Sequence, residues 1–294
     1  MIASDGALNM KHIDRASRPP GSCDRLHRID FEILREIIHE HAGIFFQDSR
    51  KHVLQTRVMV RLQALGIDYF EDYIDYLTDP GNYSEILRLV DAITQTETAF
   101  FRTKDQFRCI REQLLPCLET HATQRARIWS TACATGEEAY SLAMLVAEVF
   151  PASKERPEIV ASDINTQALY TAECGRYNAR AMEPVPAALQ NQHFSKSPEG
   201  FRVSEQLVDM VTFKRINLAD RTDMMRMHSV NLILCMNVLQ SFSKEIRQKT
   251  LQAIYNAMDD NAYLMIGATE TLYGLSHPFV ELNMGPVRVY QKCA

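Results

Sequence analysis

The hydrophobic positions of this chain follow one spacing before residue 90 and another after residue 127. In the first part, apolar residues recur every three or four positions, as they do from Phe70 to Leu77. Gly43, Gly66 and the DPG sequence at residues 79–81 interrupt this spacing. The pattern is typical of short amphipathic helices joined by turns, and it predicts a small all-helical domain over residues 29–92.

From Arg127 onward, short apolar runs alternate with segments of helical spacing. The runs are RIWS, EIVASD, VTFKRINL, VNLILCMN, AYLMIGA and VRVYQK. This alternation predicts an α/β domain over residues 93–294, with a doubly wound parallel sheet and helices on both of its faces. We expect VRVYQK to be an antiparallel strand at the edge of that sheet. Residues 177–213 break the alternation.

Composition restricts the class of protein further. The chain is 46% hydrophobic, but no run approaches the roughly 18 uncharged residues that a membrane helix needs. Residues 1–28 are polar and mixed in charge, unlike a signal peptide, so we expect a flexible leader and a cytoplasmic protein without direct membrane insertion. The seven cysteines lack CxxC spacing, which argues against a disulfide framework or a metal cluster. The net charge of -5 gives no reason to expect nucleic acid as a partner.

Polar residues follow the predicted strands at the points where parallel strands end. The first strand is followed by TACATGEE, and Asp163, Asn217 and Asn237 follow three of the others. Ligands of open sheets bind at these carboxyl ends, although loops are polar in any case. A carboxylate such as Asp163 has two oxygens with which to accept hydrogen bonds from both hydroxyls of a ribose. Glu137 has two open interpretations, a favourable charge at a helix N-terminus or a contact to a cationic ligand group.

The TACATGEE turn, residues 131–138, contains a single glycine. Turns that bind a pyrophosphate through backbone amides usually carry three glycines, so a nucleotide-dependent oxidoreductase is disfavoured. One glycine and two glutamates suit a cation better than a phosphate. A nucleoside with an amino-acid tail offers ribose, ammonium and sulfonium groups that match such a site, and this describes S-adenosylmethionine.

Six ordered stretches resemble the motifs of CheR-type chemotaxis receptor methyltransferases. They are TETAFFRTKDQF (96–107), IWSTACATGEEAYSLAM (128–144), ASDINTQAL (161–169), FKRINLAD (213–220), NLILCMNVLQSFSKEIRQKTL (231–251) and LMIGATETL (264–272). These enzymes transfer a methyl group from S-adenosylmethionine to glutamate side chains of chemoreceptors. The resemblance implies a Rossmann-like class I methyltransferase sheet, a small β-subdomain inserted at about residues 177–213, and a helical N-terminal domain.

The resemblance also implies roles for individual residues. The cofactor-binding residues that it implies are Thr96, Thr98, Arg102, Glu137, Asp163, Asn217, Leu218, Met236 and Asn237. Among them, Glu137 would contact the methionine ammonium and Asp163 the ribose hydroxyls. Asn217 and Leu218 would contact the adenine, and the Met236-Asn237 segment would contact the methionine end. Arg102 is the implied catalytic residue, because its guanidinium can hold the acceptor carboxylate through two parallel hydrogen bonds. The alternative for Arg102 is a structural ion pair with an acid such as Asp105.

Four positions depart from the pattern of the family that the chain resembles. Thr96, Ala139, Met236 and Ser241 stand where the family typically has asparagine, proline, arginine and tyrosine. The tyrosine lines the methyl-transfer site in the family, and serine has neither its ring nor its reach. Two hypotheses therefore remain. The chain is an enzyme that forms glutamyl methyl esters in chemosensory adaptation, or a non-catalytic, S-adenosylmethionine-binding regulatory module of a chemosensory array.

A basic stretch in the helical part indicates a protein partner. Arg50, Arg57 and Arg61 fall on one helix face at about 3.6 residues per turn, and no acid lies between Ser49 and Ile67. Such a run is often only a solvated face. In the family, the corresponding helix faces the acidic methylation region of the receptor, so the resemblance implies that these arginines bind the cytoplasmic domain of a chemoreceptor.

Overall fold

The structure of this chain is a computed structural model that describes residues 25–121, 125–150 and 156–293. Most of the predicted leader, residues 1–28, therefore lies outside the described residues. None of the described helices is both long enough and apolar enough to cross a membrane.

The described chain divides into two compact units. Residues 25–38 and 46–93 form the first, and residues 39–45 and 94–293 form the second. Each unit buries its own set of hydrophobic residues.

The first unit is helical, as its apolar spacing predicts. Its helices are α1, Arg28–Ala42, whose last four residues belong to the second unit, α2, Lys51–Leu65, α3, Phe70–Thr78, and α4, Tyr83–Ile93. Helix α2 ends at Gly66, which takes the left-handed conformation (φ 67°) that glycine adopts readily at helix ends. Leu54 on α2, Tyr73 on α3 and Leu89 on α4 are fully buried. Burial of these apolar side chains stabilises helices that would be only marginally stable in isolation.

The second unit alternates strands and helices. Its strands are β1, Arg127–Ser130, β2, Glu158–Asp163, β3, Arg176–Tyr177, β4, Phe194–Ser197, β5, Gly200–Val203, β6, Val211–Arg215, β7, Val230–Cys235, β8, Met258–Ile266, β9, Val280–Met284, and β10, Val287–Gln291. Its helices are α5, Lys104–Cys109, α6, Leu115–His121, α7, Glu137–Val149, α8, Thr166–Cys174, α9, Ala179–Met182, α10, Ala187–His193, α11, Glu205–Val208, α12, Arg221–Met224, and α13, Lys244–Ala257. A π-helical segment, Ile110–Leu114, joins α5 to α6.

Seven strands form one sheet in the order β6-β2-β1-β7-β8-β10-β9. The five strands from β6 to β8 are parallel to one another, which confirms the predicted doubly wound sheet. From β1 the chain moves outward through β2 to β6 and then returns to β7 on the other side of β1. Such a reversal opens a crevice outside the carboxyl ends of β1 and β7, and this is where doubly wound sheets bind ligands.

The run VRVYQK forms β10, which is antiparallel to β8, as predicted. Its predicted position at the sheet edge is wrong, because β9 pairs with its outer side. Hydrophobic spacing does not reveal β9, since the sequence VELNM has no buried residue. Pairing with β10, rather than a buried face, holds this strand in place.

The large sheet is buried on both faces. Adjacent residues of a strand point to opposite faces, so Ile128 belongs to one core and Trp129 to the other. Leu142 of α7 lies in the first core, and Leu251 of α13 lies in the second. Burial on two faces explains why these strands are nearly continuous apolar runs in the sequence.

A separate three-stranded antiparallel sheet has the order β3-β5-β4. It occupies most of the interruption at residues 177–213 and is the small β-subdomain that the resemblance implies. It begins one residue earlier, at Arg176, whereas residues 211–213 belong to β6 of the large sheet.

Candidate functional site

The turn between β1 and α7 is held in place by β2 and the residues that follow it. The Cys133 amide donates to the Ser162 carbonyl at 2.9 Å, and the Ala134 amide donates to Asp163 Oδ2 at 2.9 Å. Asp163 Oδ1 accepts the Asn165 amide at 2.8 Å. The buried Asp163 carboxylate thus joins two loops at the strand reversal. A carboxylate has about four acceptor positions, so this role is compatible with accepting ligand hydroxyls as well.

The single glycine of the turn, Gly136, is required by its surroundings. Its backbone is left-handed (φ 95°), and an added Cβ would lie 2.8 Å from the Ala172 Cβ and 3.0 Å from the Tyr177 hydroxyl. Any side chain would therefore push the turn away from α8 and β3. The glycine serves close packing of the turn, which agrees with a site that does not cradle a phosphate.

Glu137, the first residue of α7, is buried and receives a hydrogen bond from the Thr135 hydroxyl, with Oγ1 2.7 Å from Oε2. Burial raises the pKa of Glu137, and the bond from Thr135 opposes this rise. A nearby cation would also favour the ionised carboxylate. The environment of Glu137 therefore suits its predicted role opposite an ammonium group.

Glu138, the second glutamate of the TACATGEE turn, is another acid at this site, and no role for it follows from the resemblance. The Ser130 hydroxyl donates to Glu138 Oε1 at 2.7 Å. Burial raises the pKa of Glu138 to about 7, against the opposing effects of the Ser130 bond and the positive charge of Arg102. The two adjacent glutamates of GEE are the sequence signal that could have indicated Glu138, because the first turn of a helix favours negative charge.

The segment that carries Arg102 docks on the N-terminal half of α7. The Phe101 amide donates to Ser141 Oγ at 3.0 Å, and this hydroxyl in turn donates to the Glu137 carbonyl at 2.6 Å. Phe101 is left-handed (φ 50°), an uncommon conformation that redirects the chain just before Arg102. This docking explains why the charge of Arg102 acts on Glu138.

The alternative interpretation of Arg102, a structural pair with Asp105, is wrong. Asp105 pairs with Arg108 at 2.7 Å, whereas Arg102 is exposed and donates from Nη1 to the Glu97 carbonyl at 3.1 Å. Within the described part of the chain, Arg102 forms no salt bridge. Its guanidinium therefore remains available for an acceptor carboxylate. Thr96 and Thr98 are partly buried in the segment before Arg102 and stay predicted cofactor contacts.

A buried amide adds an acceptor that sequence patterns do not reveal. Gln106 on α5 is 4% exposed, and its Nε2 donates at 2.7 Å to the carbonyl of Ile266, the last residue of β8. Its Oε1 has no hydrogen-bond partner in the described structure. A buried acceptor at a strand end suits an ammonium or hydroxyl donor of a ligand.

The loop after β6 contains the two residues predicted to contact adenine. The Asn217 side chain donates to the His41 carbonyl at 2.8 Å and accepts the Ala219 amide at 3.0 Å. Leu218 is buried in the core and its carbonyl accepts the Thr250 hydroxyl. The Asn217 amide group thus organises the loop itself, so a contact from this loop to a base would use backbone groups or the face of a side chain.

The segment after β7 is tied to the end of β8 by one carboxylate. Glu270 Oε2 accepts the Asn237 amide at 2.7 Å and the Gly267 amide at 2.9 Å, and Oε1 accepts the Gln240 amide at 3.1 Å. Asn237 is left-handed (φ 60°). Met236, predicted at the methionine end of the cofactor, is buried in the hydrophobic core. The arginine that this position has in the family could not occupy such an apolar environment without a partner.

The predicted basic surface of the helical unit needs correction. Arg61 donates from Nε and Nη2 to the buried Glu85 at 2.8 and 2.9 Å, and Arg57 donates to the Ile93 carbonyl. A buried carboxylate requires such a counter-charge, so the Arg61 guanidinium is held by Glu85 although 17% of the Arg61 side chain is exposed, and this ion pair competes with a contact to a receptor. Arg50 is exposed directly before α2 and keeps its prediction as a partner-binding residue.

Comparison with known proteins identifies the family. The CheR methyltransferase all-alpha domain matches residues 29–94, and the CheR methyltransferase SAM-binding domain matches residues 96–287. Chemotaxis protein methyltransferase 2 of Vibrio cholerae is 28% identical over 85% of this chain and 88% of its own length. Chemotaxis protein methyltransferases 1 and 2 of Pseudomonas aeruginosa are 29% and 31% identical, over 89% and 85% of this chain and 97% and 89% of their own lengths. Because the two domain matches together span both units, this chain belongs to the CheR methyltransferase family, whose S-adenosylmethionine-binding domain forms most of its second unit.

Proposed function

We propose that this protein is a protein-glutamate O-methyltransferase that methylates the cytoplasmic region of a chemoreceptor. The position of Arg102 is the single observation that carries the proposal. Its exposed guanidinium has no salt bridge within the described residues, and its segment is fixed to the helix turn that bears Glu137 and Glu138. An unpaired arginine beside the cofactor turn is what recognition of a carboxylate acceptor requires.

The residues at the strand ends fit S-adenosylmethionine. In the proposed arrangement Glu137 meets the methionine ammonium, Asp163 accepts from the ribose hydroxyls, and Gln106 Oε1 offers a further buried acceptor. Burial raises the pKa of Glu137 and Glu138. A bound cation would lower both values again, so the two acids favour a positively charged ligand over a neutral one. Thr96, Thr98, Leu218, Met236 and Asn237 complete the proposed cofactor contacts.

Methyl transfer to glutamate needs positioning rather than acid or base catalysis. When bound, S-adenosylmethionine would supply an electrophilic methyl group, and transfer of this group from sulfur to the acceptor oxygen would leave S-adenosylhomocysteine. The acceptor glutamate is already ionised near pH 7. Arg102 would hold one face of that carboxylate and aim an oxygen at the methyl carbon. Fixing both reactants in line can contribute several kcal/mol of barrier lowering.

The non-catalytic alternative rests on Ser241 and Met236. Ser241 lies in the short helical turn Leu239–Ser241, and its carbonyl accepts the Phe45 amide at 2.9 Å. Its small side chain leaves the acceptor side of the site without the tyrosine that the family has there. Binding of S-adenosylmethionine is expected under either hypothesis, so binding alone does not distinguish them.

Detection of a glutamyl methyl ester distinguishes the two hypotheses. The full-length protein is incubated with methyl-labelled S-adenosylmethionine and a panel of chemoreceptor cytoplasmic fragments. We expect protein-bound label that is released as methanol at alkaline pH, because methyl esters hydrolyse under base. Binding of S-adenosylhomocysteine without ester on any fragment would support the regulatory module. An absence of cofactor binding, measured by calorimetry, would contradict both hypotheses.

A further inference from the structure

Tyr177, on the first strand of the β-subdomain, reaches the cofactor turn of the large sheet. Its hydroxyl donates to the Thr135 carbonyl at 2.8 Å. The Thr135 hydroxyl in turn donates to Glu137 at 2.7 Å. Residue 135 thus links the phenol of β3 to the carboxylate that opens α7.

The ring of Tyr177 also contacts the segment that carries Arg102. The Phe100 ring lies edge-on to the Tyr177 ring, with 4.9 Å between their centroids. Phe100 makes a similar contact with Phe194 on β4, with centroids 5.5 Å apart. Both Tyr177 and Phe100 are buried, at 6% and 0% exposure. Contacts of this geometry are favourable beyond the area that they bury.

We propose that Tyr177 is a positioning residue for the methyltransferase site: its hydroxyl holds the turn that presents Glu137, and its ring holds the segment that presents Arg102. The inference rests on the proposed cofactor role of Glu137. It assigns the β-subdomain a part in building the cofactor site. A displacement of β3 would move both Glu137 and Arg102, because the Tyr177 side chain contacts the turn before Glu137 and the segment before Arg102.

The geometry of the turn makes it sensitive to the Tyr177 hydroxyl. That oxygen lies 3.0 Å from the position of a Cβ on Gly136, so the turn packs directly against it. Removing the oxygen takes a hydrogen bond from the Thr135 carbonyl and opens space beside Gly136. The Thr135 side chain, and with it the hydrogen bond to Glu137, would then lose its fixed orientation.

Tyr140 is a matched control within the same aromatic group. It is also buried, and its hydroxyl donates to a backbone carbonyl, that of Ala172, at the same distance of 2.8 Å. The Tyr140 and Tyr177 rings are in edge contact, with centroids 6.2 Å apart. Ala172 belongs to α8 and not to the cofactor turn. Loss of the Tyr140 hydroxyl therefore removes an equivalent bond without releasing the turn.

The test compares Tyr177→Phe with Tyr140→Phe in the full-length protein. We expect a similar small decrease in thermal stability in both variants, because each loses one hydrogen bond of 2.8 Å to a backbone carbonyl. In Tyr177→Phe we expect the dissociation constant of S-adenosylhomocysteine to rise by about fivefold, because a typical hydrogen bond contributes about 1 kcal/mol. In Tyr140→Phe the dissociation constant of S-adenosylhomocysteine should stay within about twofold of the wild-type value, which is near the usual effect of a substitution away from the site.

A split between kinetic constants gives a readout that general destabilisation does not produce. With receptor fragment as acceptor, Tyr177→Phe should raise the KM for S-adenosylmethionine while leaving kcat at saturation nearly unchanged, since the ring contact to Phe100 remains. Thr135→Val removes the next hydroxyl in the chain. The combined Tyr177→Phe and Thr135→Val variant should bind little worse than the weaker of the two single variants, because coupled groups are not additive.

Three results would overturn the proposal. These are unchanged affinity in Tyr177→Phe, an equal loss in Tyr140→Phe, or full additivity with Thr135→Val. If Tyr177→Phe does not fold, unchanged affinity in Thr135→Val has the same consequence. Failure of the wild-type protein to bind S-adenosylhomocysteine would instead contradict the proposed function itself, so the two failures are distinguishable.

Discussion

The helical unit and the cofactor turn each contain a glutamate that is shielded from water. These two carboxylates, Glu85 and Glu138, differ in the donors and counter-charges around them. Glu85 is 1% exposed and accepts two hydrogen bonds from Arg61 and a third from the Tyr73 hydroxyl at 3.0 Å. Glu138 accepts one from Ser130, and the only arginine acting on it, Arg102, is not in contact by a salt bridge within the described residues.

The difference indicates which of the two acids is compensated within the fold and which is a candidate for contact with a ligand. Glu85 has its counter-charge and its donors inside the fold, so it needs nothing from outside. Glu138 is left short of donors, and its pKa is raised to about 7 by burial. Incomplete compensation of this kind is characteristic of ligand and catalytic sites, where a bound group supplies the missing charge.

Removing Arg102 should give the largest effect, and on activity alone. Arg102→Ala is expected to reduce methyl transfer by about 1000-fold, equivalent to about 4 kcal/mol, because the acceptor carboxylate loses its charged partner in the transition state. The free energy of unfolding should hardly change, since Arg102 is exposed. Activity with a receptor fragment and chemical unfolding are measured together. Arg108→Ala, another exposed arginine, is the control and should retain activity. Equal losses in both variants would remove the special role of Arg102.

Removing Arg61 should have the opposite profile. Arg61→Met leaves Glu85 buried without its ion-pair partner, which is expected to lower the free energy of unfolding by about 3 kcal/mol. The affinity for S-adenosylhomocysteine should be retained in the folded protein. A second variant, Arg61→Met with Glu85→Met, should regain much of the loss, because an apolar pair carries no desolvation penalty. Urea denaturation checks both, and a receptor-specific defect in stable Arg61→Met protein would restore the surface interpretation.

The pH dependence of stability should separate Glu138 from ordinary surface acids. Its pKa is raised from 4.5 to about 7, so the folded state keeps a proton that the unfolded state releases. Stability contributed by this group is complete below pH 4.5 and is lost as the pH rises to about 7 and beyond. Glu138→Gln should therefore gain about 1–3 kcal/mol over the wild type between pH 5 and pH 8. Denaturation without cofactor is followed across this range. Parallel stability curves for the two proteins would refute the predicted shift.

The smallest effect is expected at Arg50. Because Arg57 and Arg61 are directed at internal acceptors, Arg50 is the member of the predicted basic face that stays exposed. Arg50→Glu should slow association with an acidic receptor fragment by about two- to threefold at low salt, and the difference should fade at higher ionic strength. Thr56→Glu, at another exposed position of α2, is the control. Identical association rates for wild type and Arg50→Glu would return Arg50 to the solvated surface.

Local sequence patterns predict the helices and strands near the site, but they do not predict the side-chain contacts between them. Gly66 ends a helix where the interruption of apolar spacing predicts it, and Asp163 ends a strand as EIVASD predicts. Spacing alone did not show that Asn217 would use both ends of its amide on backbone groups. Nor did it reveal the hydrogen bonds of Gln106 and Tyr177, because their partners lie 160 and 42 residues away in the sequence.

The sequence by itself determined the alternation of buried strands and helices, the placement of Glu137 and Asp163 at strand ends, and the family. These features depend on neighbouring residues or on ordered motifs, so a one-dimensional pattern records them. Only the tertiary structure decided which charges are compensated. The sequence singles out both Arg61, by its basic stretch, and Arg102, by its motif. In the structure Arg61 forms an ion pair with the buried Glu85 of another helix, whereas Arg102 donates to a backbone carbonyl. Compensation of a charge depends on distances across the fold, and sequence spacing does not contain those distances.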